Sequence, residues 1–278
     1  MSPKRLDGKV ALVTGAGRRG GLGEAICLRL AAEGAVIMVT DLARAGTHLP
    51  ADKTGSMNDI AQVVSAIQDA GGRAAGVGLD VRDEAQVIAA VAQTVATFGS
   101  LDIVINNAGV GFLMEPLVDM PLERWRTVLD VNLTGAFLCS QHGARQMIAQ
   151  GRGGRIINIA SVAAKSGSLH LAAYSASKHG LIGLTRSAAI ELGVHGITVN
   201  AVCPNHVTTQ LGSVQNEYRA RQRGLTVEQY LDEMRGRIPL GRVGLAQDTA
   251  KACAFLCSAE AGYVTGEAMN VSGGQEVH

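Results

Sequence analysis

The feature that most constrains this chain is a repeated alternation of short, β-branched apolar runs with longer alanine- and leucine-rich periodic segments. The runs fall at 9–14, 35–41, 74–79, 103–106, 155–159, 198–202 and 268–271. Several are apolar at almost every position, as parallel strands buried on both faces are. Helical patterns lie between them near 22–33, 57–70, 84–98, 121–150, 172–193 and 248–258. Alternation sustained to the last thirty residues predicts a single α/β domain over 1–278, a Rossmann-like doubly wound parallel sheet of about seven strands with helices on both faces. No linker or internal repeat interrupts it. Two stretches, 42–56 and 204–240, exceed ordinary connections, and long loops in compact domains tend to be functional.

The first strand runs into Gly15-Ala-Gly-Arg-Arg-Gly-Gly-Leu-Gly23, and Glu24-Ala-Ile opens a helix. Glycines let the backbone approach a pyrophosphate, and a helix N-terminus adds free N–H groups and positive dipole. A glycine-rich turn alone carries little weight; here strand, turn and helix come in order. An acid, Asp41, closes the second strand eighteen residues after Gly23. Placed there, a carboxylate accepts both ribose hydroxyls of an adenosine and repels a 2′-phosphate, which favours NAD over NADP. Arg18, Arg19 and Arg44 pull the other way, because a guanidinium pairs with phosphate. The two loop arginines have further readings, as a clamp on the pyrophosphate or as solvated side chains.

The most informative stretch for chemistry is Tyr174-Ser175-Ala176-Ser177-Lys178, with Ser161 thirteen residues upstream. A phenol has a pKa of about 10. A lysine four residues on shares its helix face, and its charge favours the phenolate, bringing proton exchange toward neutral pH. A hydroxyl at Ser161, delivered from a strand end, is suited to hydrogen-bond a substrate carbonyl or alcohol oxygen. Alone, a tyrosine and lysine at this spacing are ordinary surface residues; the flanking pattern gives them weight.

Composition supports this and narrows the alternatives. The chain is 47% hydrophobic, with 35 glycines and few aromatics, which suits helices packed closely on a sheet. A net charge of +1 gives no electrostatic case for nucleic acid or an anionic membrane surface. No apolar run approaches the roughly 20 residues of a membrane span. The N-terminal residues show no signal-peptide core, so a cytoplasmic location is expected. Cysteines 27, 139, 203, 253 and 257 form no C-x-x-C and read as buried small hydrophobes, with no metal site expected.

These motifs together resemble the short-chain dehydrogenase/reductase family of compact, single-domain type. The likeness runs over nearly the whole chain: Thr14-Gly15 and its loop, Asp80-Val81, Asn106-Asn107-Ala108-Gly109, Asn132 in Asp-Val-Asn-Leu, Ser161, Tyr174 with Lys178, and Pro204. The resemblance implies an NAD(P)-dependent oxidoreductase with Asn132, Ser161, Tyr174 and Lys178 as catalytic residues. It implies that Gly15, Gly21, Leu22 and Gly23 carry the pyrophosphate, that Asp80 and Val81 flank the adenine, and that the Asn107, Ala108 and Gly109 backbone runs along the cofactor. Tyr174 and Lys178 would also meet the nicotinamide ribose, and Pro204, Val207 and Thr209 the carboxamide. Asn132 would hold a water that relays protons from Lys178. The family commonly forms tetramers through two long helices, here 121–150 and 172–193, so a homotetramer is expected.

Two departures stand out. The family spaces its glycines T-G-x-x-x-G-x-G, whereas five residues separate Gly15 from Gly21. The usual Pro-Gly is Pro204-Asn205, and asparagine tolerates a left-handed turn better than most residues. The expected reaction is reversible oxidation of a secondary alcohol to a ketone. The substrate pocket is expected around Ser161, Ala163, His170, Asn205 and His206, with 111–114 and Ser168 nearby, which favours a polyol, sugar or hydroxyketone. An NADPH-dependent 3-oxoacyl thioester reductase shares the scaffold, and a non-catalytic dinucleotide sensor is a third reading. The 204–240 stretch is expected to be a lid containing a short helix over 226–234, with Thr226 as its N-cap.

Overall fold

The computed structural model describes residues 4–43, 55–111, 113–207 and 209–278. Seven strands make one parallel sheet: β1 (Val10–Val13), β2 (Val36–Asp41), β3 (Arg73–Gly78), β4 (Ile103–Asn106), β5 (Gly154–Ile159), β6 (Ile197–Pro204) and β7 (Ala268–Val271). Their spatial order is β3-β2-β1-β4-β5-β6-β7. β1 pairs with both β2 and β4, so the winding reverses beside it. The crevice beyond the carboxyl ends at such a reversal is where open α/β sheets bind ligands.

The continuous apolar runs are explained by burial on two sides. Successive strand residues point to opposite faces, so Ala11, Val13, Ile37, Val39, Ile103, Ile105, Ile157 and Ile159 enter one core. Their neighbours Leu12, Met38, Val104 and Ile156 enter the other. The first core is covered by helices α1 (Leu22–Ala32), α2 (Met57–Asp69) and, later in the chain, 246–257. The second is covered by α3 (Glu84–Phe98), 135–150 and 172–192. All five cysteines are buried thiols inside this packing, as expected of small hydrophobes.

Local chemistry sets the helix ends. Ser56 closes a capping box with Asp59 at the start of α2. The Asp83 side chain accepts from the Gln86 N–H at the start of α3, which ends on left-handed Gly99. Where the sequence suggests one helix over 121–150, there are α4 (Leu122–Leu129), a π turn (Asp130–Thr134) and α5 (Gly135–Gln150). The long α6 (Ala172–Leu192) follows β5. The 204–240 stretch is not mainly loop. It holds α7 (Gln210–Gln222) and α8 (Val227–Arg237), followed by α9 (Ala246–Cys257). Thr226 caps α8 in a capping box with Gln229, as the sequence predicts. α7 escapes sequence reading because Gln210–Gln222 is mostly polar, its few apolar positions (Leu211, Val214, Tyr218) making too thin a stripe to announce a helix. Arg44 and most of the 42–56 stretch lie outside the described residues.

Candidate active site

A cleft of about 770 Å³ opens at the carboxyl edge of the sheet, from Asp41 at one end to α7 and α8 at the other. The expected catalytic, cofactor-binding and pocket residues line it except Asn132, and of the nearby 111–114 stretch Met114 lines it while Gly111 and Leu113 do not. Phe112, within the expected pocket stretch 111–114, is outside the described residues.

At the first end, Thr14 fastens β1 to β4: its hydroxyl accepts from the N–H groups of Asn107 (3.1 Å) and Ala108 (3.0 Å). The Asn107 amide donates to the carbonyls of Thr14 (2.9 Å) and Gly15 (2.8 Å). Asn107 thus ties the crevice walls together with its side chain while its backbone faces the cleft. Gly15 has a φ of 62°, and a Cβ there would stand 2.6 Å from the Ala108 Cα. Gly23 is as tightly placed, 2.6 Å from the Ala16 Cα. Gly21 is the N-cap of α1 and offers no side-chain cap, so the first-turn N–H groups stay open to an anion. This glycine cradle fits a dinucleotide pyrophosphate.

The two extra loop residues form a turn in which the Gly21 N–H donates to the Arg18 carbonyl at 3.2 Å. Arg19 folds back onto the buried Glu24 at 2.7 Å, and Glu24 also accepts from the Gly20 N–H. Arg19 therefore points away from phosphate duty, whereas Arg18 lines the cleft and its charge acts on Asp41. Asp41 accepts backbone N–H groups from Gly17 (2.9 Å), Leu42 (2.7 Å) and Gly55 (3.3 Å). A carboxylate offers about four acceptor positions, so roughly one is left for a ribose hydroxyl, where the sequence suggested two. Burial pushes the Asp41 carboxyl above its ordinary value, and the three backbone donors and Arg18 pull against it. Asp80 is held by Arg82 at 2.6 Å, which keeps its carboxyl low against the opposing effect of burial.

The centre of the cleft holds Ser161, Tyr174 and Lys178. Ser161 lies two residues beyond β5 and caps a short turn, its hydroxyl accepting from the Ala163 N–H at 3.1 Å. Tyr174 sits in the first turn of α6, with its ring against Gly111. Lys178, one turn on and 4% exposed, donates to the Ile159 carbonyl at 2.7 Å. Burial lowers the lysine to about 8. Burial also pushes the Tyr174 phenol above its ordinary value, against the pull of a hydrogen bond with Ser161 and of the Arg219 charge. The sequence reading expects Lys178 to bring the phenol toward neutral pH. Here desolvation outweighs the favourable charges, and the ammonium, 5.6 Å from the ring centroid, is turned to a carbonyl.

Asn132 stands one layer behind, 1% exposed, in the π turn. Its side chain accepts from the Val110 N–H (2.8 Å) and donates to the Val110 carbonyl and the Ser177 hydroxyl (both 3.0 Å). Ser177 in turn donates to the Tyr174 carbonyl at 2.7 Å. The side chain is a brace between the β4 loop and α6. π turns recur at functional sites.

α7 forms the far wall. Gln215 donates to the Gly111 carbonyl at 2.7 Å. Tyr218 meets His170 at 2.9 Å, their rings edge-on. Asn216 hydrogen-bonds the buried His206, whose imidazole burial pushes below its ordinary pKa. His170 is the one non-glycine residue with a left-handed backbone among the described residues, at φ 59°. Asn205 does not adopt that conformation, so the turn survives by another route: its amide donates to Gln275 near the C-terminus. Ala163 is buried behind Ser161. Thr209 caps α7 by accepting from the Gly212 N–H, and Val207 pairs with Gly244 in an isolated parallel bridge. Sequence reasoning missed Gln215, Tyr218 and Arg219, because nothing in a polar helix announces which side meets a cleft.

A family model described as enoyl-(acyl carrier protein) reductase matches residues 15–276. A short-chain dehydrogenase/reductase of Armillaria gallica is 38% identical over 268 residues, 96% of each chain. The cis-4-hydroxycyclohexanecarboxylate dehydrogenase of Sinomonas cyclohexanicum is 37% identical over 267 residues, again 96% of each. Among solved structures, an actinorhodin polyketide ketoreductase with NADPH superposes with a TM-score of 0.87 at 35% identity, covering 97% of this chain and 98% of that one. The chain belongs to the short-chain dehydrogenase/reductase family. It is an oxidoreductase of the class that works between CH–OH groups and ketones with a nicotinamide dinucleotide.

Proposed function

We propose that the protein is an NAD-dependent oxidoreductase interconverting a secondary alcohol and a ketone, on a substrate with more than one oxygen such as a polyol, sugar or hydroxyketone. The observation that carries this is the convergence of Ser161, Tyr174 and Lys178 in one cleft between the glycine cradle and α7. The dinucleotide, when bound, supplies the hydride acceptor or donor. Gly15, Gly21, Leu22 and Gly23 hold its phosphates, Asp80 and Val81 its adenine, and Asn107, Ala108 and Gly109 its length. Pro204, Val207 and Thr209 hold the nicotinamide end, which also meets Tyr174 and Lys178.

The Tyr174 hydroxyl exchanges a proton with the substrate oxygen, and the Ser161 hydroxyl donates a hydrogen bond to that oxygen. Lys178 places a positive charge beside the pair below about pH 8. Asn132 positions α6 against the β4 loop and holds the relay path behind Lys178. The buried Asp41 charge at the end of β2 supports NAD. Substrate oxygens meet His170, Asn205 and His206, with Ala163 as apolar floor, and α7 and α8 act as the lid.

A second reading, an NADPH-dependent 3-oxoacyl thioester reductase, draws support from Arg18 in the cleft and from the NADPH-bound ketoreductase. A non-catalytic sensor is disfavoured because all four catalytic positions are filled. Exposed Phe137 and Ile148 on α5 and Ile190 on α6 support a homotetramer built on those helices. No helix among the described residues is long and apolar enough to cross a membrane, and a cytoplasmic location is part of the proposal. The test is turnover of polyols, sugars, cyclic alcohols and oxoacyl thioesters with NAD(H) and NADP(H). Preference for NAD with a secondary alcohol sustains the proposal; preference for NADPH with thioesters replaces it with the second reading.

A further inference from the structure

We propose that Arg219 is an anion-recognition residue, and that the substrate carries a carboxylate, away from the carbon that is oxidised, which this guanidinium grips. The inference rests on the oxidoreductase reading and narrows its substrate to an oxygen-bearing acid.

Three arginines of the helical cover line the cleft: Arg219, Arg223 and Arg237. Two share one carboxylate, since Arg223 pairs with Glu233 at 2.6 Å and Arg237 reaches the same oxygen at 3.9 Å. Arg219 is half-buried and pairs with no carboxylate among the described residues. Its hydrogen bond is a long one, 3.4 Å from Nη1 to the Tyr230 hydroxyl. A guanidinium has five N–H donors, so most of its capacity is unspent. Removing a cation from water without an anion is costly, and a cleft that keeps one there is built to receive a negative charge.

The surrounding polar side chains are already committed. Gln215 is bound to Gly111, Tyr218 to His170, and Asn216 to His206. Beside these committed neighbours on α7, Arg219 keeps most of its donors for a ligand. Its charge reaches both Tyr174 and His206, which places it at the reacting end of the cleft. The glycine cradle and the α1 N-terminus, where dinucleotide phosphates fit, are at the opposite end. One guanidinium fork matches one planar carboxylate in a bidentate pair. A dianionic phosphate would call for a second cation; Arg223 is held by Glu233 at 2.6 Å, and Arg237, 3.9 Å from the same oxygen, is the most solvent-exposed of the three.

Calorimetric titration of the full-length protein saturated with NAD, using cyclohexanecarboxylate and its neutral isostere cyclohexanecarboxamide, tests the proposal. Wild type should bind the carboxylate about 10- to 100-fold more tightly. In Arg219→Gln the ratio should fall to about one, and Arg219→Lys, which keeps the charge and loses the fork, should lie between. Equal binding of both probes by wild type overturns the proposal. So does an Arg219→Gln variant that weakens both probes by the same factor, since the residue would then be structural. Neither probe carries a reacting hydroxyl, so the result is independent of turnover. A carboxylate preference without alcohol turnover would sink only the oxidoreductase reading, and turnover without the preference only this one.

Discussion

The two ends of the cleft are built by different means. At the glycine cradle the backbone itself is the recognition surface, and side chains are excluded: a Cβ on Gly15 or Gly23 would stand 2.6 Å from a neighbouring Cα. At the α7 wall the surface is made of side-chain pairs from distant parts of the chain, Tyr218 with His170, Asn216 with His206, Gln215 with Gly111. The first design tolerates little change and serves one class of cofactor. The second is a set of exchangeable contacts on a polar helix, which lets one scaffold accept many substrates. The proposed chemistry sits where the two meet, at Ser161, Tyr174 and Lys178.

If that division holds, the largest effect should come from the junction. Tyr174→Phe removes the proton-exchanging hydroxyl and spares both ends, so kcat should fall by about 10²–10⁴. Dinucleotide affinity, measured by titration, should stay within about threefold; a matching loss of both would erase the distinction between ends. Next in size is the cradle's cofactor choice. Asp41→Ala removes a buried negative charge near Arg18 and should raise the NADP to NAD ratio of kcat/KM by about 10- to 100-fold. A wild type that already prefers NADP would show that Arg18 outweighs Asp41.

Much of the cradle was legible in sequence because backbone demands leave few choices of residue. Gly15, Gly23 and the acid at 41 follow from close approach and charge; Asn107 came from the family resemblance, and its side chain ties the strands together. The alternating burial of Leu12, Val13, Met38 and Val39 was likewise readable as continuous apolar runs. The α7 wall was not legible. Gln210–Gln222 is mostly polar, with only Leu211, Val214 and Tyr218 at helical spacing, so the helix itself was missed, and with it Gln215, Tyr218 and Arg219. The left-handed residue of the wall is His170, not Asn205. The π turn at 130–134 is equally silent in sequence, although its Asn132 was singled out.

A smaller effect should report the cost of placing a charge at the junction. Lys178 has a folded value of about 8 against an ordinary 10.5, so between those values the native state binds fewer protons than the unfolded chain. Its contribution to stability therefore rises with pH across that window. Relative to Lys178→Met, wild-type unfolding free energy should climb by about 2 kcal/mol from pH 8 to 10.5. Denaturant titrations of both proteins check this, and parallel curves would mean the lysine is solvated. The raised Tyr174 value has the opposite sign for stability, which it lowers as pH rises above the ordinary phenol value; alcohol oxidation, which needs the phenolate, should speed up as pH rises from neutral.

The smallest expected effect concerns the lid. Hydrogen exchange over 210–237 should slow by about tenfold when NAD and substrate are added together, with little change in α1. Equal protection in the free enzyme would make α7 and α8 a fixed wall.

The most direct test of the two-ended account is a crystal structure of the protein with NAD bound. The account predicts the adenosine ribose against Asp41, the pyrophosphate over Gly15–Gly23, and the nicotinamide between Tyr174 and 204–209, with Arg219 making no contact to the cofactor. A pyrophosphate gripped by Arg219, or a ribose placed away from Asp41, would contradict it.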